Sequence, residues 1–333
     1  MKHLEFLKEI KIKNKNKTLK VGTDCSGIEA PIMALKLMNI PFEHIFSCEN
    51  DPHVVKSIYA NYSPQILYDD IFTRDHTELP YVDLYVSGFP CQSFSKLGKM
   101  KGMEDVRGTI FFHCYKTIEV IRPKCFILEN VKTLVSHNKG ATFSIILQKL
   151  DDLKDYNIYW KIYNTMDYGI PQKRERVYII GIKKSEEKKK FEHQLPISLK
   201  INVKDILVEG SEIGGKYGYL TDHKKEMLGN LVQKGKIVNL QENWSVNLNV
   251  SADKLCYPKK DICPCLLAGN GGDCIFYLTS IARRYTPREY LNLQGFGEFK
   301  QEVSNSKLYK QVGNSMSVNI LCFIIKSVYE CIT

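Results

Sequence analysis

Two rhythms of apolar residues alternate along this chain. Short unbroken runs, β-branched or aromatic, mark buried strands, and stretches where apolar residues return every three or four positions mark helices. Residues 82–88 (Val-Asp-Leu-Tyr-Val-Ser-Gly) read as a buried strand ended by a glycine. Val21 to Gly27 reads as a strand entering a tight turn, Ile28 to Met38 as a helix, and Glu43 to Cys48 as a strand ending in Glu49-Asn50-Asp51. Pro52 predicts the next helix, because proline suits a first helical position. A strand near Ile66–Tyr68 ends in Asp69-Asp70-Ile71. Gly108 to Ile121 reads as a helix with Ile110, Phe111, Tyr115, Ile118 and Ile121 roughly on one face. Lys124 to Leu128 is a strand running out into Glu129-Asn130-Val131, followed by a helix over about 141–150 and strands near 158–166 and 176–182. This βα alternation with apolar strands predicts an α/β fold with a doubly wound, Rossmann-like sheet.

After Gly181 the rhythm breaks. Lys183 to Lys190 is a charged hinge, and residues 191–282 are irregular and rich in glycine, asparagine and lysine. They predict a second, smaller domain, mostly β and loop. Ser315 to Tyr329 returns to helical periodicity, with Val318, Leu321, Cys322, Ile325 and Val328 turned inward to pack on the first domain. The expected division is 1–182 plus 305–333 against 183–304.

Composition narrows the partners. A chain of 333 residues that is 44% hydrophobic can bury a sizeable core. Lys+Arg 47 against Asp+Glu 37 leaves a net charge of +10, which suits a polyanion although alone it shows only solubility. The lysine-rich stretch 8–20 reads as a solvated arm or edge strand, or as an arm that contacts phosphates. Eleven scattered cysteines with no leader ahead of them predict free thiols in a reducing interior. No apolar run approaches the roughly 18 residues that a bilayer crossing needs, so a soluble, intracellular protein is expected. Cys256, Cys263, Cys265 and Cys274 cluster without a Cys-x-x-Cys knuckle, and Cys263 and Cys265 would point to opposite faces of a strand. No structural metal is expected.

Candidate chemistry collects at predicted strand ends. Gly88-Phe89-Pro90-Cys91-Gln92 presents Cys91 at the carboxyl edge of the sheet, as an inert buried thiol or as a nucleophile. The glycine- and lysine-rich segment 93–108 reads as a mobile loop. The order strand, glycine turn, helix, strand, acid is that of a nucleoside-binding βαβ unit. Gly27 would let backbone approach the ligand, Glu49 would take ribose hydroxyls, and Asp70 could accept an adenine amino group.

Glu49, Asp70, Cys91, Glu129-Asn130 and Gln172-Lys-Arg-Glu-Arg176 occur in an order that resembles the cytosine-5 DNA methyltransferase family. Arg284-Tyr-Thr-Pro-Arg-Glu289 and Gln311-Val-Gly-Asn-Ser315 match further ordered motifs, and the resemblance runs from about Val21 to Ile325. It implies methyl transfer from S-adenosylmethionine to C5 of a cytosine flipped out of duplex DNA. By this resemblance Cys91 attacks C6, Glu129 donates a proton to N3 and so needs a raised pKa, and Asn130 fixes the loop. Arg174 and Arg176, two apart on one strand, would share a face and hold the base carbonyl and phosphates. Asp24, Cys25, Ser26, Gly27, Glu49, Asn50, Asp70, Ile71, Pro90, Ile110, Asn314 and Ser315 would border the cofactor. Gln92, Ser95, Lys96, Lys99, Lys101 and Arg107 would form a lid over DNA, with Cys265, Leu266 and Asn270 in the recognition domain. Two positions depart from the family's pattern. Cys25 stands where many relatives carry an aromatic, a version that resembles phage-type members, and Cys265-Leu266 stands where a Thr-Leu pair is usual.

Two other readings stay open: a branch that methylates cytosine in tRNA, and a catalytically inactive DNA-binding relative. The tRNA branch is expected to carry a Cys-Phe-Thr triplet, absent from 183–282. The compact recognition region implies a short target site. A monomer that binds no membrane is expected, in cytoplasm or nucleoid if the source is prokaryotic or viral and in the nucleus if it is eukaryotic.

Overall fold

The computed structural model describes residues 1–12, 15–90, 110–209, 217–248, 258–268 and 276–333. In chain order the first strands are β1 (Leu19–Asp24), β2 (Phe42–Cys48), β3 (Ile66–Tyr68), β4 (Leu84–Ser87), β5 (Cys125–Val131), β6 (Tyr156–Asn164), the short β7 (Gln172–Lys173) and β8 (Glu175–Lys183). Seven of them form one sheet in the order β3-β2-β1-β4-β5-β8-β6. The pairs β1–β2, β2–β3, β1–β4 and β4–β5 are parallel, and β8 runs antiparallel to β5. Strand order advances one way from β1 and the other way from β4. The crevice at that reversal is where open α/β sheets place ligands.

Helices α1 (Ala30–Leu37), α2 (Pro52–Asn61), α3 (Ile110–Ile121) and α4 (Ala141–Asp151) cover the sheet. Pro52 opens α2, and Asp51 caps it by accepting from His53 N at 2.9 Å. Phe111, Ile118 and Ile121 of α3 and Phe143, Ile146 and Leu150 of α4 share one core with Tyr85, Phe126 and Leu128 of the sheet. Each such side chain contributes about 1.5–3 kcal/mol by leaving water.

The chain divides into two compact units. The sheet unit comprises Ile10–Tyr163, Glu175–Leu195 and Ile320–Thr333; the second comprises Met1–Glu9, Asn164–Arg174 and Pro196–Asn319. The second unit contains β9 (Trp244–Asn247), β10 (Lys259–Lys260), β11 (Cys263–Pro264), β12 (Phe276–Leu278) and β13 (Arg283–Arg284). Four form the antiparallel sheet β10-β9-β12-β13, and β11 pairs in parallel with β7. Helices α5 (Asp222–Gln233), α6 (Pro287–Leu293) and α7 (Asn305–Asn314) lie there, and α8 (Val318–Ile332) closes the chain. Leu220, Met227, Leu231, Val246 and Tyr277 form its small core.

Several expectations change. Region 191–282 holds a twelve-residue helix, α5, whose Met227 and Leu231 are buried, so it is not only β and loop. Helix α8 is enclosed on nearly every side rather than amphipathic. The stretch Asn305–Ile332 is long and apolar enough to cross a bilayer, yet its most apolar part is 89% buried in the protein's own fold. Both compact units are discontinuous in sequence. The lysine arm is pinned where it meets β1: Lys17 N donates to Tyr329 Oη at 3.0 Å and Lys17 Nζ to Ile332 O at 3.1 Å.

Candidate active site

Gly88, Phe89 and Pro90 leave β4 beside the end of β5, with Ser87 registered to Leu128. Asn130 Nδ2 donates to Phe89 O at 2.8 Å, tying the turn before residue 91 to the strand that carries Glu129. Asn130 Oδ1 accepts from Val131 N, so the buried amide is held at both ends. Glu129 and Asn130 thus belong to β5 itself rather than to a loop beyond it. In the antiparallel register Arg176 of β8 lies opposite Val131, two residues from Glu129 and on its face of the sheet. Arg176 Nε stands 3.3 Å from Glu129 Oε1. Glu129 is 8% exposed.

Arg174 departs from the expected arrangement. It occupies the break between β7 and β8, is 2% exposed, and lies outside the strand that carries Arg176. Its guanidinium donates to the carbonyls of Leu266 (2.9 Å), Gly313 (3.2 Å) and Ser315 (2.7 Å). Buried Gln172 supports the same segment, accepting from Leu266 N at 3.1 Å and donating to Leu293 O at 2.7 Å. Arg174 is therefore an internal clamp of the second unit, its guanidinium bound to backbone carbonyls. Leu266 is fully buried, so its side chain does not face a nucleic acid either, whereas Cys265 is half-buried with Sγ 3.6 Å from Arg174. Gly313 earns its place by contact distance: a Cβ there would lie 2.5 Å from the Leu267 carbonyl group. Asn314 ends α7 exposed, and Ser315 is buried with its carbonyl held by Arg174 and Gln294.

A second cluster stands at the carboxyl ends of β1, β2 and β3. Three residues of the β1–α1 turn take left-handed backbone: Cys25 (φ 50°), Gly27 (φ 52°) and Glu29 (φ 56°). Gly27 N donates to Glu49 Oε2 at 2.9 Å, and Asp51 N to Glu49 Oε1 at 3.0 Å. Burial pushes the Glu49 carboxyl up, while the amides of Asp51 and Gly27 pull it down. Ser26 Oγ accepts from Cys48 N at 2.9 Å and binds Thr23, fastening the turn to β2. Beyond β3, Asp70 Oδ1 accepts from Phe72 N at 2.9 Å, Ile71 is buried, and Asn50 is exposed. Ile110 is half-buried at the start of α3, and Pro90 is exposed.

Asp24 differs from the expected cofactor contact. It is fully buried, and its carboxylate accepts from Arg74 Nη1 (2.5 Å) and Nη2 (2.6 Å), Tyr85 Oη (2.6 Å) and Thr117 Oγ1 (3.2 Å). It anchors the turn from beneath. Arg74, Tyr85 and Thr117 escaped sequence reading, since no spacing links residues 50 to 93 positions away. Six of the described thiols are held in their neutral form. A hydrogen bond to the Cys114 thiol and burial push Cys25 well up, and burial pushes up Cys48 (to about 12), Cys125, Cys263, Cys322 and Cys331 (to about 11). Cys91, Gln92, Ser95, Lys96, Lys99, Lys101, Arg107, Cys256, Asn270 and Cys274 lie outside the described residues.

Comparison with known proteins joins these geometries to a family. The profile of the C-5 cytosine-specific DNA methylases matches residues 25–330. The Type II methyltransferase M.NgoBI of Neisseria gonorrhoeae is 35% identical over 279 residues, covering 84% of this chain and 83% of the relative. M.HhaI of Haemophilus parahaemolyticus is 31% identical over 299 residues, covering 87% and 88%. Among solved structures, the Dnmt2 methyltransferase of S. pombe superposes with a TM-score of 0.63 at 18% identity, covering 94% of this chain and 99% of that one, a likeness of fold. A mostly parallel sheet with its acids at the strand ends, a turn held over β5 and a profile spanning nearly the whole chain converge, and the chain belongs to the C-5 cytosine-specific DNA methylase family as a DNA cytosine-5 methyltransferase.

Proposed function

We propose that this enzyme methylates C5 of a cytosine taken out of duplex DNA, through a covalent bond between Cys91 and C6 of the base. The observation that supports this reading is the Asn130–Phe89 hydrogen bond, which ties the segment just ahead of Cys91 in sequence to the strand that carries Glu129. C5 of cytosine is a weak nucleophile until C6 carries an added group. As the Cys91 sulfur forms its bond to C6, electron density moves toward N3, and Glu129 gives that nitrogen a proton. Arg176 holds the Glu129 carboxyl in place across the β5–β8 ladder. Once C5 carries the methyl group, its proton passes to water, the C5–C6 double bond is restored as the C6–sulfur bond breaks and the thiolate leaves, and N3 returns its proton to Glu129.

The residues at the ends of β1, β2 and β3 fit S-adenosylmethionine. A Cβ on Gly27 would meet only Cys25 O, at 4.0 Å, so the turn is open to a close ligand. The turn, with Glu49 and Asp70, would hold the nucleoside part. When bound, S-adenosylmethionine supplies the electrophilic methyl group that C5 accepts. Because C5 is inaccessible inside a stacked duplex, the base must leave the stack, and the lysines of 93–107 suit the displaced strand's phosphates.

The test is a mixed-sequence duplex in which every cytosine is 5-fluorocytosine, whose fluorine cannot leave as a proton does. A denaturation-resistant, cofactor-dependent complex should form with the wild type and be absent in Cys91→Ala. Trapping on fluorinated tRNA alone would overturn the duplex-DNA assignment.

A further inference from the structure

The β1–α1 turn contains a residue whose backbone and side chain make contradictory demands. Glu29 takes φ 56°, ψ 49°, a conformation costly for a residue with a Cβ, at the N-cap of α1, where it makes no side-chain capping bond. Its side chain turns inward and is fully buried. There Oε1 accepts from Thr23 Oγ1 of β1 at 2.7 Å and from Ser47 Oγ of β2 at 2.6 Å, with His44 Nε2 at 3.4 Å. Ser47 Oγ also lies 2.9 Å from His44 Nε2, so one carboxylate oxygen gathers two adjacent strands. Among the described residues, Glu29 Oε2, His44 Nδ1 and Tyr62 Oη are buried with no hydrogen-bond partner. Tyr62 lies near enough to feel the Glu29 charge. A strained backbone persists only where surrounding contacts over-determine it, and such strain clusters at ligand clamps. Here the over-determining contacts come from the strands that flank the turn, two residues after Gly27.

We propose that Glu29 is a positioning residue for the cofactor: its buried carboxylate holds the Cys25–Glu29 turn in the shape that receives S-adenosylmethionine. It acts through the turn backbone and through Gly27, whose amide is bound to Glu49. This rests on the assignment of that turn to the cofactor. A purely structural carboxylate would alter the melting temperature and leave the affinity of the folded protein unchanged. A positioning carboxylate changes cofactor affinity in protein that is still folded.

The experiment measures the Kd of S-adenosylmethionine by calorimetry, with a thermal melt for each protein, on the wild type, Glu29→Gln, Glu29→Ala, Glu29→Gly, Ser47→Ala and Glu49→Ala. Glu29→Gln keeps the Oε1 acceptor and should bind within about twofold of the wild type. Glu29→Ala loses the anchor and keeps the Cβ strain, and should weaken binding about tenfold or more. Glu29→Gly loses the anchor but relieves the strain, and should fall between them. Ser47→Ala removes one donor and should weaken binding by a few-fold; it also serves, with Glu29→Gly, if Glu29→Ala does not fold. With kcat unchanged at saturating cofactor, the loss should appear in KM for the cofactor. Wild-type Kd in folded Glu29→Ala, or in Glu29→Gly and Ser47→Ala together, overturns the proposal. If the wild type itself binds no cofactor, or Glu49→Ala binds as tightly as the wild type, the assignment of the turn fails instead.

Discussion

Glu129 sits buried at the end of β5, facing β8. Arg176 Nε, 3.3 Å from its Oε1, fixes the direction in which the carboxyl points. Glu129→Gln keeps shape and hydrogen-bonding capacity but cannot transfer the acid proton. It should leave cofactor Kd unchanged and lower single-turnover methylation by about 10²-fold or more. Wild-type turnover across neutral pH would remove the acid role. Glu129 was legible because it follows an apolar run that can only be a buried strand. Arg174 was not. Its spacing from Arg176 places both on one face only if the strand is continuous, and the break between β7 and β8 sends Arg174 to the carbonyls of Leu266, Gly313 and Ser315.

Elements whose burial is local were readable; those stabilised by remote partners were not. The parallel strands announce themselves because both faces are covered and their sequences are nearly unbroken apolar runs. Helix α5 was missed because only Met227 and Leu231 are buried along twelve residues, too sparse a stripe to stand out among lysines and asparagines. At the end of β1, Asp24 looked like a ligand contact, but its buried partner Arg74 follows β3. Removing one member of a buried ion pair leaves the other uncompensated, so Asp24→Asn should cost about 3 kcal/mol or more in denaturant unfolding. A loss below about 1 kcal/mol would show that the pair is dispensable to the β1 end.

Neither unit is a continuous stretch of chain, and no periodicity announces that, since it depends on which distant segments meet. The first nine residues belong with 164–174 and 196–319. Their peg is His3, buried, with Nε2 2.9 Å from Phe296 O. Burial lowers its pKa to about 4, with the charge of Arg288 assisting and the Phe296 carbonyl opposing. The folded value lies below the ordinary one, so the contribution is complete above pH 6.5 and is lost as pH falls toward 4. Between pH 7.5 and 5 the wild type should lose about 1–2 kcal/mol more unfolding free energy than His3→Gln, whose amide can donate to the same carbonyl. Equal losses would mean that His3 keeps its ordinary pKa in the folded protein. The discontinuity also bears on the ribosome. The second unit lacks part of itself until Asn319 emerges, and the sheet unit until α8 does, so neither can close during most of synthesis. At about 5–20 residues per second, the sheet unit waits on the order of ten seconds or more after β5 for its last segment, Ile320–Thr333. Slower translation would lengthen this wait rather than shorten it.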